Sequence, residues 1–381
     1  MVIKRAYRYR IYPNRTQQET LNRLFGLKRF VYNYYLRQRI DYYDQTGKSL
    51  SYYQNAMDLV KLKKHPEYVW LKEAPAQTLQ QTLTDLDKAY SNFFHKRARF
   101  PRFKRKQDKQ SMRYPQHFKV EGNKVYLPKV GWLKIVLHRP VEGKMKNLTV
   151  SKTKSGQYFI SIQVEQDIEE PPYQGEIIGL DLGLAHFAVT SKGQKFDNPK
   201  YLRKSERKIN RWQRRLSRKQ KGSRGWQKAK LKVARMYEKV SNQRQDFLHK
   251  LTRKLVEENQ YIAIEDLHVK GMVKNHRLAK SISDAGWSET ARQLTYKGQW
   301  YGCRVDKIDR FFPSSKRHFK CGYINKDLKL SERVWFCPEC QEWVERDENA
   351  ARNILIFSTV GATGINADGE AVSPASSRQP L

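Results

Sequence analysis

Acidic residues are scarce in this chain of 381 residues: 38 Asp and Glu stand against 75 Lys and Arg, for a formal charge of +37. So large an imbalance repels itself and favours a polyanionic partner over a solitary compact chain. Cysteine is scarce too. Of only four, Cys321, Cys337 and Cys340 are clustered, which excludes a disulfide framework and reads as a metal site in a reducing compartment. Cys303 stands apart in a predicted strand, Cys303 to Ile308, and reads as an ordinary core residue. There is no run of about 18 apolar residues, which excludes a membrane-spanning helix. Met1 to Arg10 alternates charged with apolar groups, where a secretion signal would be continuously apolar.

What is present is a foldable chain. Hydrophobic residues make up 39%, with 22 Tyr, 16 Phe and 8 Trp. The charge therefore sits on packed domains and not on a disordered basic tail. Nucleic acid answers both features, phosphate for the charge and bases for the aromatic rings.

Residues 3 to 11 alternate, with Ile3, Tyr7, Tyr9 and Ile11 on one side, as a strand does. Pro13 and Asn14 turn the chain, and Thr16 with Glu19 reads as a capping box opening a helical region that runs to about Phe94. Within it Leu79, Leu83, Leu86, Tyr90 and Phe93 form a core-facing stripe over Ala76 to Phe94. From Phe118 to Val164 the period changes to two, predicting a small β-barrel or sheet that the N-terminal strand can join. Between helices and strands, Lys96 to Arg113 is dense in Lys and Arg and carries Phe100 and Phe103, a pattern suited to tracking a phosphate backbone.

A second domain begins near Gly175. Ile177 to Leu182 is an apolar strand interrupted by Asp181, and Phe187 to Thr190 with the Lys192-Gly193 turn predicts antiparallel neighbours. Residues 201 to 235 hold 15 Lys and Arg and one acid, Glu206. Leu202, Ile209 and Leu216 recur every seven residues there, so this is a basic helix with one packed seam. The break at Gly222 to Gly225, followed by Met236, Val240, Phe247, Leu251 and Leu255, makes it a helical hairpin with a nucleic-acid face.

Three acids stand out by their place in the predicted elements. Asp181 lies inside its strand, flanked by Gly179 and Gly183, whose missing side chains let backbone approach closely. Glu265 ends the strand Tyr261 to Ile264. Asp347 falls in the first turn of a helix that runs through Ile354 to Phe357. Strand, strand end and final helix are where an RNase H-like sheet gathers metal ligands. Carboxylate oxygens suit Mg²⁺ or Mn²⁺, and two such ions about 3.5 to 4 Å apart serve phosphodiester hydrolysis. Asp181 is expected to bridge them, with Glu265 and Asp347 each completing one. A second metal site is spelled by His318-x-x-Cys321 and Cys337-x-x-Cys340, four ligands at zinc-ribbon spacing and thus a closed, structural ion.

These motifs resemble the TnpB family, transposon-encoded RNA-guided nucleases related to type V CRISPR effectors. The resemblance runs through Tyr9-Arg10-Ile11-Tyr12-Pro13, Ile178-Gly179-Leu180-Asp181-Leu182-Gly183, Ser241-Asn242-Gln243-Arg244, Ala263-Ile264-Glu265-Asp266-Leu267, Leu294-Thr295-Tyr296-Lys297, Ser314-Ser315-Lys316 and Arg346-Asp347-Glu348-Asn349-Ala350-Ala351. It implies Asp181, Glu265 and Asp347 as the RuvC-type triad and His318, Cys321, Cys337 and Cys340 as zinc ligands. Two positions depart from the family, which usually has Cys at 318 and Asp at 345.

The resemblance implies an α/β multidomain protein. A wedge β-barrel (1–12 and 108–174) would carry an inserted helical recognition domain (13–107). An RNase H-like RuvC nuclease domain (175–312 and 345–358) would carry the helical hairpin and a zinc ribbon (313–344), and 359–381 would be a disordered tail. It further implies a guide RNA, a double-stranded DNA target and a monomer in a bacterial or archaeal cytoplasm, associated with the nucleoid and not with a membrane. Base pairing would select the target while the protein reads a short adjacent motif. Tyr52, Tyr53, Gln77, Gln80, Gln81 and Ser111 are the candidate readers, and Lys104, Arg105, Arg211, Arg214, Arg215 and Arg218 the candidate backbone contacts. The alternatives are a guide-independent RNase H-like nuclease, a transposase that joins strands, and a repressor that does not cut. The intact triad speaks against the last.

Overall fold

The computed structural model describes residues 1–329 and 331–362 and divides into two compact units, Met1–Ile168 and Glu169–Leu381. In the first, strand β1 (Val2–Tyr12) buries Ile3, Tyr7, Tyr9 and Ile11, the alternation the sequence predicts. Helix α1 (Arg15–Thr46) follows without a break. Its cap is Asn14, two residues earlier than the Thr16 and Glu19 pair expected: Asn14 Oδ1 accepts from the Gln17 N–H at 2.9 Å, and Gln17 Oε1 accepts from the Asn14 N–H at 3.0 Å. Asn is among the strongest N-cap residues, and Thr16 is already helical. Helix α2 (Tyr52–Leu62), a 3-10 turn (Pro66–Glu73) and helix α3 (Ala76–Phe94) complete the helical part.

Six further strands follow: β2 (Gln110–Tyr114), β3 (Lys119–Glu121), β4 (Lys124–Leu127), β5 (Gly131–Val136), β6 (Lys144–Lys152) and β7 (Tyr158–Asp167). They form an antiparallel sheet in the order β2-β6-β7-β1-β5-β4-β3. The N-terminal strand does join the later ones, at the centre. The pairing stops at β2 and β3, so the expected barrel is a sheet with two edges and no closing ladder among the described strands. Leu21, Leu24, Leu79, Leu83 and Leu86 from the helices share one core with Ile135, Ile160 and Ile162 from the sheet. Each such buried side chain contributes about 2 kcal/mol.

The second unit is built on β8 (Glu176–Asp181), β9 (His186–Thr190), β10 (Lys195–Asp197), β11 (Asn259–Glu265) and β12 (Arg304–Ile308), in the order β10-β9-β8-β11-β12. The first three pair antiparallel, while β8, β11 and β12 are parallel. Parallel neighbours need crossovers, and helices supply them. Between β10 and β11 run α4 (Tyr201–Ser217) and α5 (Arg224–Glu258), the expected basic hairpin, and between β11 and β12 run α6 (Val269–Met272), α7 (Ala279–Ala285) and α8 (Trp287–Tyr301). The α4 seam is shallow: Ile209 is buried, Leu202 and Leu216 half-buried. A two-stranded ribbon, β13 (Val334–Cys337) and β14 (Glu342–Glu345), leads into α9 (Arg346–Ala362).

Residues 169–174, expected in the wedge, fall in this unit. Gly302, at φ +70, explains why: a side chain there would stand 2.6 Å from the Pro172 carbonyl oxygen. Cys303 is buried just ahead of β12, as a core residue, and burial pushes its thiol up to about 12. The expected tail begins too early, because α9 continues to Ala362; the remaining 363–381 lie outside the described residues.

Candidate active site and metal knuckle

Asp181 ends β8. Ile264 is level with Leu180 in the parallel pairing, so Glu265 comes level with Asp181 on the neighbouring strand. Alternate strand residues share a face, which places Gly179 and Asp181 on the same side. That side receives α9. A Cβ built on Gly179 would overlap the carbonyl oxygen of Ala351 and stand 2.8 Å from the Leu355 nitrogen. Asp347, one turn before Ala351, is thereby carried over Asp181. Glycine at 179 is what lets the helix lie directly on the strand, whereas Gly183 clears the His186 carbonyl at the following turn.

The three carboxylates meet electrostatically. Desolvation, then Glu265, then Asp347 push Asp181 up to about 8, against the pull of Arg346 and Arg333. Burial also raises Glu265, and the Ser314 hydroxyl that donates to its Oε1 opposes the shift. Asp347 is 8% exposed and paired with two guanidiniums: Arg346 Nη2 reaches Oδ1 at 3.1 Å, and Arg333 Nη1 reaches both oxygens at 3.3 Å. Each acid thus has its own surroundings, and the three are not drawn into one tight ligand cage.

The knuckle differs. One ligand atom from each of His318, Cys321, Cys337 and Cys340 lies within 4.8 Å of the others. His318 Nδ1 is 3.2 Å from Cys321 Sγ, which is 3.6 Å from Cys337 Sγ. Hydrogen bonding from Cys321 pushes the Cys340 thiol up to about 12, and a zinc ion held here would take the place of the thiol protons. Glu342 Oε1 stands 3.0 Å from the outer nitrogen of His318, off the line of a hydrogen bond, on the side where a carboxylate orients a metal-binding imidazole. The donor set fits a structural zinc ion.

The candidate nucleic-acid residues divide between the units. In the first, Tyr52 and Tyr53 lie on α2, Gln77, Gln80 and Gln81 on α3, and Ser111 on β2. Tyr53 is 77% exposed, and the Gln77 amide donates to Gln116 at 3.0 Å. Ser111 lines a cleft with Lys104 and Arg105, and Lys104 Nζ sits 4.8 Å over the Tyr32 ring. In the second unit Arg211, Arg214, Arg215 and Arg218 are exposed on and just past α4, with Arg215 stacked over Trp212 at 4.9 Å. Ser314, Arg333 and Arg346 escaped the sequence reading as partners of the acids. Ser314 lay within a motif already noted, but only the fold brings it to Glu265.

Residues 159–276 match the family OrfB_IS605, described as "Probable transposase". Residues 287–354 match a Cas12f1-like TNB domain, and 1–48 a helix-turn-helix domain of OrfB_IS605. Here those first residues are β1 and one unbroken helix. A Streptomyces pristinaespiralis protein named "Putative RNA-guided DNA endonuclease" is 40% identical over 358 residues, 93% of this chain and 89% of its own. InsQ of Escherichia coli (strain K12), named likewise, is 38% identical over 368 residues, 92% of this chain and 91% of its own. A cryo-EM structure titled as a Cas12f1-sgRNA-target DNA complex covers 93% of this chain and 99% of its own at 16% identity and a TM-score of 0.37, too loose a superposition to argue from. Identity of 40% across about nine-tenths of both sequences decides the matter: the chain belongs to the OrfB/TnpB family of IS605-type transposon proteins.

Proposed function

We propose that this protein is an RNA-guided DNA endonuclease of an insertion-sequence transposon, hydrolysing guide-matched DNA beside a short motif through Asp181, Glu265 and Asp347. The observation that carries the reading is the convergence of three carboxylates from β8, β11 and α9, where burial first, and then the charges of Glu265 and Asp347, raise Asp181 to about 8. Such a cluster calls for a cation. Hard oxygen donors favour Mg²⁺ or Mn²⁺, while the soft donors of the knuckle favour zinc. The strand order β10-β9-β8-β11-β12, antiparallel then parallel, supports an RNase H-like, RuvC-type domain.

Two Mg²⁺ ions held by these acids would supply an activated water and a counter-charge for the leaving 3′ oxygen. Asp181 would serve both ions, with Glu265 and Asp347 each completing one. Ser314 orients Glu265, and Arg346 orients Asp347. RNA guidance comes from the shared name of the full-length relatives. The exposed arginines of α4 and the Lys96 to Arg113 segment offer phosphate contacts suited to a heteroduplex. Tyr52, Tyr53, Gln77, Gln80, Gln81 and Ser111 offer groups for reading the adjacent motif.

The description of the matched family favours a second reading, strand joining by the same acids. Purified protein is expected to carry a discrete RNA and to cut DNA matching it only with Mg²⁺, leaving free ends; joined products would favour transposition. Sequencing the co-purified RNA identifies the guide, and recovering no discrete species defeats the guided reading. Asp181→Ala should slow cleavage by on the order of 10³-fold or more while binding persists.

A further inference from the structure

The two arginines on Asp347 are not equivalent. Arg346 is fixed: its side chain is 12% exposed, its N–H donates to the Arg333 carbonyl at 2.8 Å, and its guanidinium also donates to the Glu332 carbonyl at 3.0 Å. Arg333 comes from the ribbon, just ahead of β13, and its side chain is 50% exposed. Its Nη1 lies 3.3 Å from both carboxylate oxygens, long for a charge-assisted bond. Arg346 meets Oδ1, so among the described residues Arg333 is the hydrogen-bond partner of Oδ2. Both guanidiniums also act on Asp181. Arg333 therefore places a loosely held positive charge among the acids.

A guanidinium there opposes a dication in two ways. It occupies the lone pairs of Oδ2, and its charge repels the ion. A phosphodiester reverses both effects, because its oxygens accept from guanidinium in shorter, paired bonds. Half-solvated and weakly bonded, Arg333 is the member of the pair that a phosphate can draw off, while Arg346 keeps Oδ1 in place.

We propose that Arg333 closes Asp347 in the nucleic-acid-free chain and releases it to a divalent cation when a backbone phosphate takes the guanidinium, so that metal entry waits for nucleic acid. The proposal rests on the reading of Asp347 as a metal ligand. Arg333 is a positioning residue in it, acting through Asp347. By linkage, phosphate must tighten metal binding by the factor that metal tightens phosphate binding.

The test is Mn²⁺ binding to RNA-free, zinc-loaded, full-length protein, read from the free-ion signal in electron paramagnetic resonance, with and without a short single-stranded DNA. Asp181→Asn gives the background from ions held by DNA or elsewhere. Wild type is expected to bind Mn²⁺ about tenfold more tightly with DNA than without. Arg333→Gln should bind without DNA as wild type does with it, and gain less than about twofold from adding DNA. Arg333→Lys, which keeps the charge and loses the fork, should fall between and serves if the glutamine variant does not fold. Lys195→Gln removes a neighbouring charge that pairs with Glu345 and should keep the full DNA dependence. The proposal is overturned if the Arg333 variants need DNA as wild type does, or if Lys195→Gln behaves like Arg333→Gln. Failure of the nuclease reading looks different: wild type would bind no more Mn²⁺ than Asp181→Asn, with or without DNA.

Discussion

In the knuckle, four donor atoms gather within 4.8 Å, and His318 and Cys337 are wholly buried. At the end of the sheet in the same unit, the carboxylates of Asp181, Glu265 and Asp347 converge but stay apart, one tied to Ser314 and another to two arginines. Thiols and imidazole are neutral when protonated and can crowd together before any ion arrives. Carboxylates cannot, because each is charged over most of the pH range and must be desolvated or paired. The contrast separates a compact cluster of soft donors, which fits one structural ion, from a set of buried acids that electrostatic repulsion and separate partners hold apart.

Breaking the knuckle should have the largest effect on the fold. Cys337→Ser is expected to lose zinc and lower the melting temperature by about 10 °C, since structural zinc contributes about 10 kcal/mol of folding free energy to its module and only part is shared with the domain. Metal analysis and circular dichroism check this; unchanged zinc and melting would erase the contrast. Gly179→Ala attacks the other site through packing alone. Shifting α9 off β8 should cost about 3 kcal/mol and slow cleavage by on the order of 10²-fold, with zinc content unchanged.

Titration sharpens the comparison. The fold raises Asp181 from the usual 3.8 to about 8, so the folded chain binds that proton more tightly than the unfolded one. Metal-free stability from this group is therefore full below about pH 4 and declines as pH rises toward about 8. Asp181→Asn should remove that slope and melt higher than wild type near pH 8 without metal. Magnesium must displace the proton, so its stabilisation of wild type should grow between about pH 6 and 8. Smallest is Ser314→Ala, which should slow cleavage about tenfold at unchanged substrate affinity. Separate measurement of kcat and KM decides it.

Much of this architecture was legible. Period-two burial in β1 and β7, the stripe of α3 and the basic hairpin follow from residue order because each is a local pattern. The knuckle was legible because its ligands are close in sequence and their chemistry is specific. The observed α1 cap lies two residues before the expected one because Thr16 with Glu19 and Asn14 with Gln17 both satisfy the same spacing, and only backbone geometry chooses. Closure of the N-terminal sheet was not legible, since strand count and alternation are the same in a barrel and in an open sheet. The motif-reading residues remain a proposal, for an exposed Gln carries the same signature whether it meets a base or water.

Asp181 and Glu265 stand out in the sequence because an acid in or at the end of an apolar strand demands a partner wherever the chain folds, and Asp347 stands out as an acid in the first turn of the last helix. The sequence also explains the glycine at 179, in kind: some backbone had to come close. Only the tertiary structure decided that the backbone is α9, that Ser314 turns Glu265, and that Arg333 reaches Asp347. Those contacts join residues far apart in the chain, and long-range proximity is set by packing of whole elements, which no local pattern records.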